Sequence, residues 1–135
     1  MRFLHLLATS MAPAAAAAKS VFAHFMVGNT VSFTQDDWTQ QINLAKGAGI
    51  DAFALNMASQ DTTNDQALPL AFAAAESVGF KLFFSFDYAG NGPWDRDIVT
   101  NLINRWKTSG AYYYRGSQPF VSTLYVSFLL TSVEC

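Results

Sequence analysis

The sequence predicts an α/β fold built from repeated strand-plus-helix units, a partial (β/α) TIM-type barrel in the order β-α-β-α-β-α-β and about half of a full barrel. Three observations carry this. The stretch Lys81 to Asp87, KLFFSFD, repeats in altered form the earlier stretch Ile50 to Asn56, IDAFALN. Both follow a helix-like segment that closes on glycine, Ala48-Gly49 and then Val78-Gly79, and Ile50 and Phe80 stand thirty positions apart, about one strand-plus-helix unit. The second strand, Asp51 to Met57, does not alternate polar with apolar residues, which suits a strand covered on both faces in a parallel sheet.

Taken in order, Val21 to Val27 (VFAHFMV) reads as the first strand from its aromatic and β-branched content, and Gly28-Asn29 ends it with turn chemistry. Thr34 then offers an N-cap, with Asp37 three residues on as a carboxylate variant of the capping box. Trp38, Ile42 and Ala45 recur at helical spacing as one apolar stripe, and Gly47 and Gly49 stop the helix. Strand two is Asp51 to Met57. The polar loop Ala58 to Asn64 leads into an alanine-rich helix through Leu68, Phe72, Ala75 and Val78. Pro69 is tolerable only in a first turn, so the expected helix start is Ala67 or Leu68, or else the helix is kinked.

Strand three is Lys81 to Phe86, followed by the loop Asp87 to Trp94. The third helix begins near Asp95, points Ile98, Leu102 and Trp106 inward, and ends at Ser109-Gly110. An aromatic loop, Ala111 to Gln118, precedes a fourth strand starting at Pro119 (PFVST). Such units build either an eight-stranded barrel or a doubly wound open sheet. A barrel usually needs about 250 residues, whereas a flavodoxin-like sheet wants a fifth strand. Half a barrel leaves two unpaired strand edges and an uncovered apolar face, so self-association through those edges is an expectation.

Composition narrows the function. With 135 residues, 51% of them apolar and 15% aromatic, the chain can bury one core. A net charge of −2 with scattered Lys and Arg gives no basic stripe for a phosphate backbone, so nucleic acid is not expected as a partner. No stretch reaches the ~18 uninterrupted apolar residues of a membrane-spanning helix, so no membrane partner is expected either. Cys135 is the only cysteine, which precludes an intrachain disulfide or a thiolate metal cluster. No G-x-S-x-G elbow, P-loop, H-E-x-x-H or G-x-G-x-x-G is present, and no cofactor is expected. Residues 1–18, with Arg2 before the apolar run Phe3 to Leu7 and small residues up to Ala18, read as a signal peptide. An alanine-rich, poorly ordered start or a misplaced start codon is the bland alternative.

Four blocks in order, VFAHFMVGN (Val21 to Asn29), AGIDAFALN (Ala48 to Asn56), AAAESVGFKLFFSFD (Ala73 to Asp87) and PFVST (Pro119 to Thr123), resemble the opening of glycoside hydrolase family 71, the fungal α-1,3-glucanases or mutanases. The resemblance covers about Lys19 to Thr123. It implies a secreted or cell-wall (β/α)-barrel enzyme that hydrolyses α-1,3-glucan with inversion, and a polysaccharide partner. Two departures accompany it. Where the family continues from V-S-T into an aromatic residue, a glutamate and a glycine, Leu124 and Tyr125 stand here, and residues 124–135 resemble nothing in the family. An abrupt change to an apolar tail is what a retained intron or a frameshift would produce. Nor does the chain hold an N-D-Y-G-E type run, where the family resemblance places the acidic pair. Inversion needs two carboxyl groups ~6.5–9.5 Å apart, so the expectation is a front half that lacks its acid/base pair, with a non-catalytic glucan-binding module as the alternative reading.

Among the residues present, Asp87 follows a buried strand and would sit at the barrel mouth, where it could meet a sugar hydroxyl; a turn-capping role is the alternative. Asn56 ends strand two in the same register with an amide suited to sugar hydroxyls, or to bracing a loop. His24, among Phe22, Phe25 and Val27, reads more readily as a hydrogen-bonded core residue, and stays a site candidate through the resemblance. Trp94 could stack on a sugar ring or pack between helix and loop, as could Tyr112 to Tyr114. Asp36, Asp37, Asp61, Asp65, Asp95 and Asp97 fit capping and solvation. The catalytic residues themselves are not assigned.

Overall fold

The computed structural model describes residues 19–125. The expected signal peptide and most of the apolar tail lie outside the described residues. The elements run β1 (Phe22–Met26), a 3₁₀ turn (Val27–Thr30), α1 (Gln35–Gly47), β2 (Ala52–Ala58), α2 (Thr63–Val78), β3 (Lys81–Asp87), α3 (Arg96–Trp106), a two-residue pair β4 (Tyr114–Arg115) and β5 (Gln118–Pro119), and β6 (Val121–Leu124). Four strands form one parallel sheet in the order β1-β2-β3-β6, while β4 and β5 make a separate antiparallel hairpin.

Register sorts the side chains onto two faces. Phe25 lies opposite Leu55, which lies opposite Phe84 and so beside Val121, and this face carries the helices. Phe25 packs on Trp38 of α1 with ring centroids 4.9 Å apart, and Phe84 packs on Phe72 of α2 at 6.0 Å. The expected α1 stripe of Trp38, Ile42 and Ala45 is its buried face. The Thr34/Asp37 capping box forms: the Thr34 hydroxyl accepts from Asp37 N–H, and the Asp37 carboxylate accepts from Thr34 N–H at 2.8 Å. Those bonds hold the Asp37 carboxyl below its ordinary value.

The other face is concave. Phe22 of β1 meets Phe83 of β3 at 4.9 Å, across the small Ala52 and Ala54 of β2, and reaches Phe120 at 5.8 Å. In a flat sheet, strands three intervals apart are ~14 Å from one another and their side chains run parallel. Rings from β1 and from the approach to β6 can meet only if the sheet curls and its inward side chains converge, as in the layered interior of a barrel. Phe22, Phe83, Tyr113 and Phe120 thereby fill the amino-terminal end of the concave face.

Three elements depart from expectation. Helix α2 starts at Thr63, because the Asp61 carboxylate accepts from Thr63 N–H at 2.9 Å and supplies the cap upstream of Thr62. Pro69 therefore sits inside the helix, on its exposed side, where the backbone acceptor it leaves free is open to water. The aromatic segment after α3 is ordered by β3: Leu82 N–H donates to Ala111 O and Tyr113 N–H to Leu82 O, so the strand that follows begins at Val121, after the hairpin. That strand continues through Leu124, opposite Asp87. In α3, Val99, Ile103 and Trp106 pack on the core, with Trp106 stacked on Phe72 at 4.4 Å, and Leu102 is half-buried. Ile98, expected inward, is 48% exposed, because its side of the helix faces a groove beside α2 rather than the sheet.

Tyr112 is buried between α2 and β3, and its hydroxyl donates to Phe120 O at 3.1 Å. Burial pushes its phenol well above the ordinary tyrosine range. The unfolded chain ionises near pH 10 and the folded one does not, so this contribution to stability is complete below about pH 10 and falls as the pH rises past it. Melting temperatures measured from about pH 9 to about pH 11 should fall more steeply for the wild type than for Tyr112→Phe. Equal slopes would contradict the assignment.

Candidate functional site

Parallel α/β folds place their ligands at the carboxyl ends of the strands. One lateral row crosses the sheet there: Met26 opposite Asn56, Asn56 opposite Ser85, and Ser85 opposite Ser122. One step closer to the mouth stands the row Ala58, Asp87 and Leu124. One step deeper lie His24, Ala54 and Phe83, above the aromatic floor. The surface is thus graded, with rings at the bottom, amide and hydroxyls in the middle, and a carboxylate at the rim.

Asn56 is 4% exposed, and its Nδ2 has no hydrogen-bond partner among the described residues. Leaving a buried amide donor unpaired costs about 1–3 kcal/mol; Trp38 Nε1, Asn64 Oδ1 and Trp106 Nε1 are also buried and unpaired among the described residues. Asn56 does not brace its loop. Other amides do that work: Asn64 Nδ2 donates to Ala58 O at 2.9 Å, and Asn91 Nδ2 donates to Ser59 O at 3.0 Å.

Asp87 does both things open to it. Its Oδ1 accepts from the N–H groups of Ala89 (2.8 Å) and Gly90 (3.1 Å), turning the chain sharply after β3. The half-buried carboxylate still keeps a second oxygen for a ligand. Gly90 is required by close approach, since a Cβ there would stand 2.9 Å from the Ala58 Cβ and 3.6 Å from its Cα.

His24 is exposed on the concave face opposite Ala54, and is not the core residue its neighbours suggested. Alternation along β1 sends Phe25 and Val27 to the helix side and His24 to the open side. Trp94 departs from the stacking role. It is 8% exposed, packs edge-on against Phe86 at 5.0 Å, and donates its indole N–H to both Met57 O (3.2 Å) and Asp87 O (3.1 Å). It ties the ends of β2 and β3 together and so fixes the backbone that carries Asp87. Tyr112, Tyr113 and Tyr114 likewise spend their hydroxyls on Phe120 O, the Ser20 hydroxyl and Lys107 O.

The acidic residues at helix starts cap them: Asp95 accepts from the N–H groups of Asp97 (2.8 Å) and Ile98 (3.2 Å), as Asp61 and Asp37 do at α2 and α1. Ser85 and Ser122 were not singled out from sequence. The signal that could have found them is register, since both lie two residues before a strand-end residue at the mouth.

The model of glycosyl hydrolase family 71 matches residues 17–129. The chain is 40% identical over 105 residues to a mutanase of Penicillium rubens, which covers 78% of this chain and 24% of the mutanase. It is 39% identical over 123 residues to a glucan endo-1,3-alpha-glucosidase of Schizosaccharomyces pombe, covering 90% of this chain and 28% of that enzyme. An ascus wall endo-1,3-alpha-glucanase of the same yeast is 35% identical over 71 residues, 51% of this chain and 16% of that protein. The chain spans about a quarter of the length of the first two relatives. Among solved structures, a GH99 endo-alpha-mannosidase from Bacteriodes thetaiotaomicron aligns with a TM-score of 0.56 at 16% identity, over 66% of this chain and 28% of that one. This likeness concerns the fold, and it agrees with a curled parallel sheet flanked by helices. With the family model matched across most of the chain, the chain belongs to glycosyl hydrolase family 71.

Proposed function

We propose that this chain forms the amino-terminal arc of an α-1,3-glucanase barrel, and that it holds α-1,3-glucan against its concave face at the carboxyl ends of the strands. The observation that carries the reading is the unpaired Nδ2 of buried Asn56, set in the row with Ser85 and Ser122 and one step below Asp87. A ligand rich in hydroxyls supplies both the acceptor that Asn56 lacks and the donors that Ser85 and Asp87 can accept from. Asn56, Ser85 and His24 meet sugar hydroxyls, Asp87 meets a hydroxyl at the rim, and Trp94 positions Asp87. The relatives named for α-1,3-glucan support the choice of polymer. A leader-like residues 1–18 and a relative named for the ascus wall support action outside the cell or in its wall.

Hydrolysis with inversion would need a second carboxyl across the cleft. Among the described strand residues on the concave face, Asp87 is the one carboxylate. On this reading the chain binds glucan without cleaving it. Incubating the full chain with insoluble α-1,3-glucan and, separately, with β-1,3-glucan tests this by sedimentation and by reducing-end release. The expected result is co-sedimentation with the α-linked polymer alone and no reducing ends above background. Failure to sediment would refute the binding reading, and turnover would refute the inactivity.

A further inference from the structure

A second cavity lies outside the mouth, in the groove between α2 and α3. It has a volume of about 200 Å³ and is lined by Asp61, Asn64, Asp65, Trp94, Ile98 and Leu102, with Gln60 and Thr62 beside them. An adjoining hollow of about 260 Å³ shares Ile98 and Leu102 and adds Asn101 and Arg105. Neither has a part in the concave face. Both are lined by residues of α2, α3 and the loops that lead into these helices.

We propose that this groove is a second carbohydrate site, taking one or two glucosyl units of the same polymer outside the cleft; the identity of the polymer rests on the function proposed above. Four features fit a pyranose. Ile98 and Leu102 give an apolar strip for the C–H face of a sugar ring, with buried Trp94 behind it, and Ile98 is far more exposed than a core position would leave it. The polar rim is rich in acceptors: the Asp61 and Asp65 carboxylates and the Gln60 amide oxygen suit a ligand that brings many O–H donors. Asn64, a lining residue only 7% exposed, has given its Nδ2 to Ala58 O, and its Oδ1 has no partner among the described residues. Gln60 holds a left-handed backbone conformation at φ 60°, a conformation that non-glycine residues seldom adopt and that recurs in loops shaped for ligands.

The size of each hollow argues against a folded partner. A protein interface needs ~800 Å² from each side, whereas these hollows fit single rings. A second site on the outer wall would keep the chain on an insoluble polymer while the cleft engages another segment, raising the effective concentration of both.

The test is calorimetric titration of the full chain with a soluble α-1,3-linked glucose oligosaccharide, comparing the wild type with Ile98→Glu, Asp65→Ala and Asp87→Asn. Ile98 and Asp65 are on the surface, so their variants should fold as the wild type does. The wild type should show two classes of site. Ile98→Glu, and to a smaller degree Asp65→Ala, should weaken one class by about tenfold or more and leave the class sensitive to Asp87→Asn unchanged. A single class lost in Asp87→Asn and untouched by Ile98→Glu overturns the groove and leaves the cleft standing. A class lost in Ile98→Glu with no effect of Asp87→Asn supports the groove and overturns the cleft. No heat from the wild type overturns both.

Discussion

Phe72→Ala is expected to cost about 3–5 kcal/mol, a large share of the ~5–15 kcal/mol by which a domain of this size is stable. Phe72 stands where three elements meet. Its ring stacks on Trp106 of α3 at 4.4 Å, packs parallel to Tyr112 at 6.2 Å, and meets Phe84 of β3 edge-on at 6.0 Å. Helix α3 has no fully buried residue, so the Phe72 and Trp106 stack is a main tie of that helix to the rest of the molecule. Truncation removes the ring and leaves a cavity that the stiff aromatic neighbours cannot fill. Chemical denaturation should show the midpoint collapse for Phe72→Ala, while Phe72→Leu retains most of the stability. A loss below about 1 kcal/mol for the alanine variant would mean that α3 is held by other contacts.

Asp87→Ala is expected to reduce retention on α-1,3-glucan by about tenfold or more, because it removes a rim acceptor and the turn that shapes the rim together. The two functions separate by substitution. Asp87→Asn keeps an oxygen for the N–H groups of Ala89 and Gly90 and lacks the charge, so the loop should stay in place while binding weakens. Gly90→Ala keeps the carboxylate group itself but drives a methyl into Ala58, so it should displace the loop. If Asp87→Asn binds as well as the wild type while Gly90→Ala does not, the residue serves the turn and not the sugar. Binding unchanged in all three would remove Asp87 from the site.

What the sequence disclosed follows from the range of the physics involved. The Thr34 and Asp37 capping box was legible because both partners lie within four residues, and the α1 stripe because three positions on one helix share a face. The strand pair IDAFALN and KLFFSFD was legible because strands buried on both faces drop the usual alternation. The start of α2 was misplaced because its cap comes from Asp61, outside the usual cap position, while the rule for proline weighed against the true start. His24 and Ile98 were placed on the wrong side because periodicity gives a face and not its neighbour. The Asn56, Ser85 and Ser122 row depends on the register of three strands far apart in sequence, and a single strand carries no sign of it. The bracing role of Trp94 turns on two carbonyls that only the folded chain brings to its N–H.

The proposed sugar site lies at the carboxyl ends of the strands. Backbone amide shifts of the full chain, followed by NMR during titration with a soluble α-1,3-linked glucose oligosaccharide, report that place directly. The prediction is a contiguous set at the strand ends, around Met26, Asn56, Ser85 to Gly90 and Ser122, together with a downfield change at the Asn56 side-chain amide as its Nδ2 gains an acceptor. Shifts that spare these residues, whether or not the α2–α3 groove responds, would contradict it.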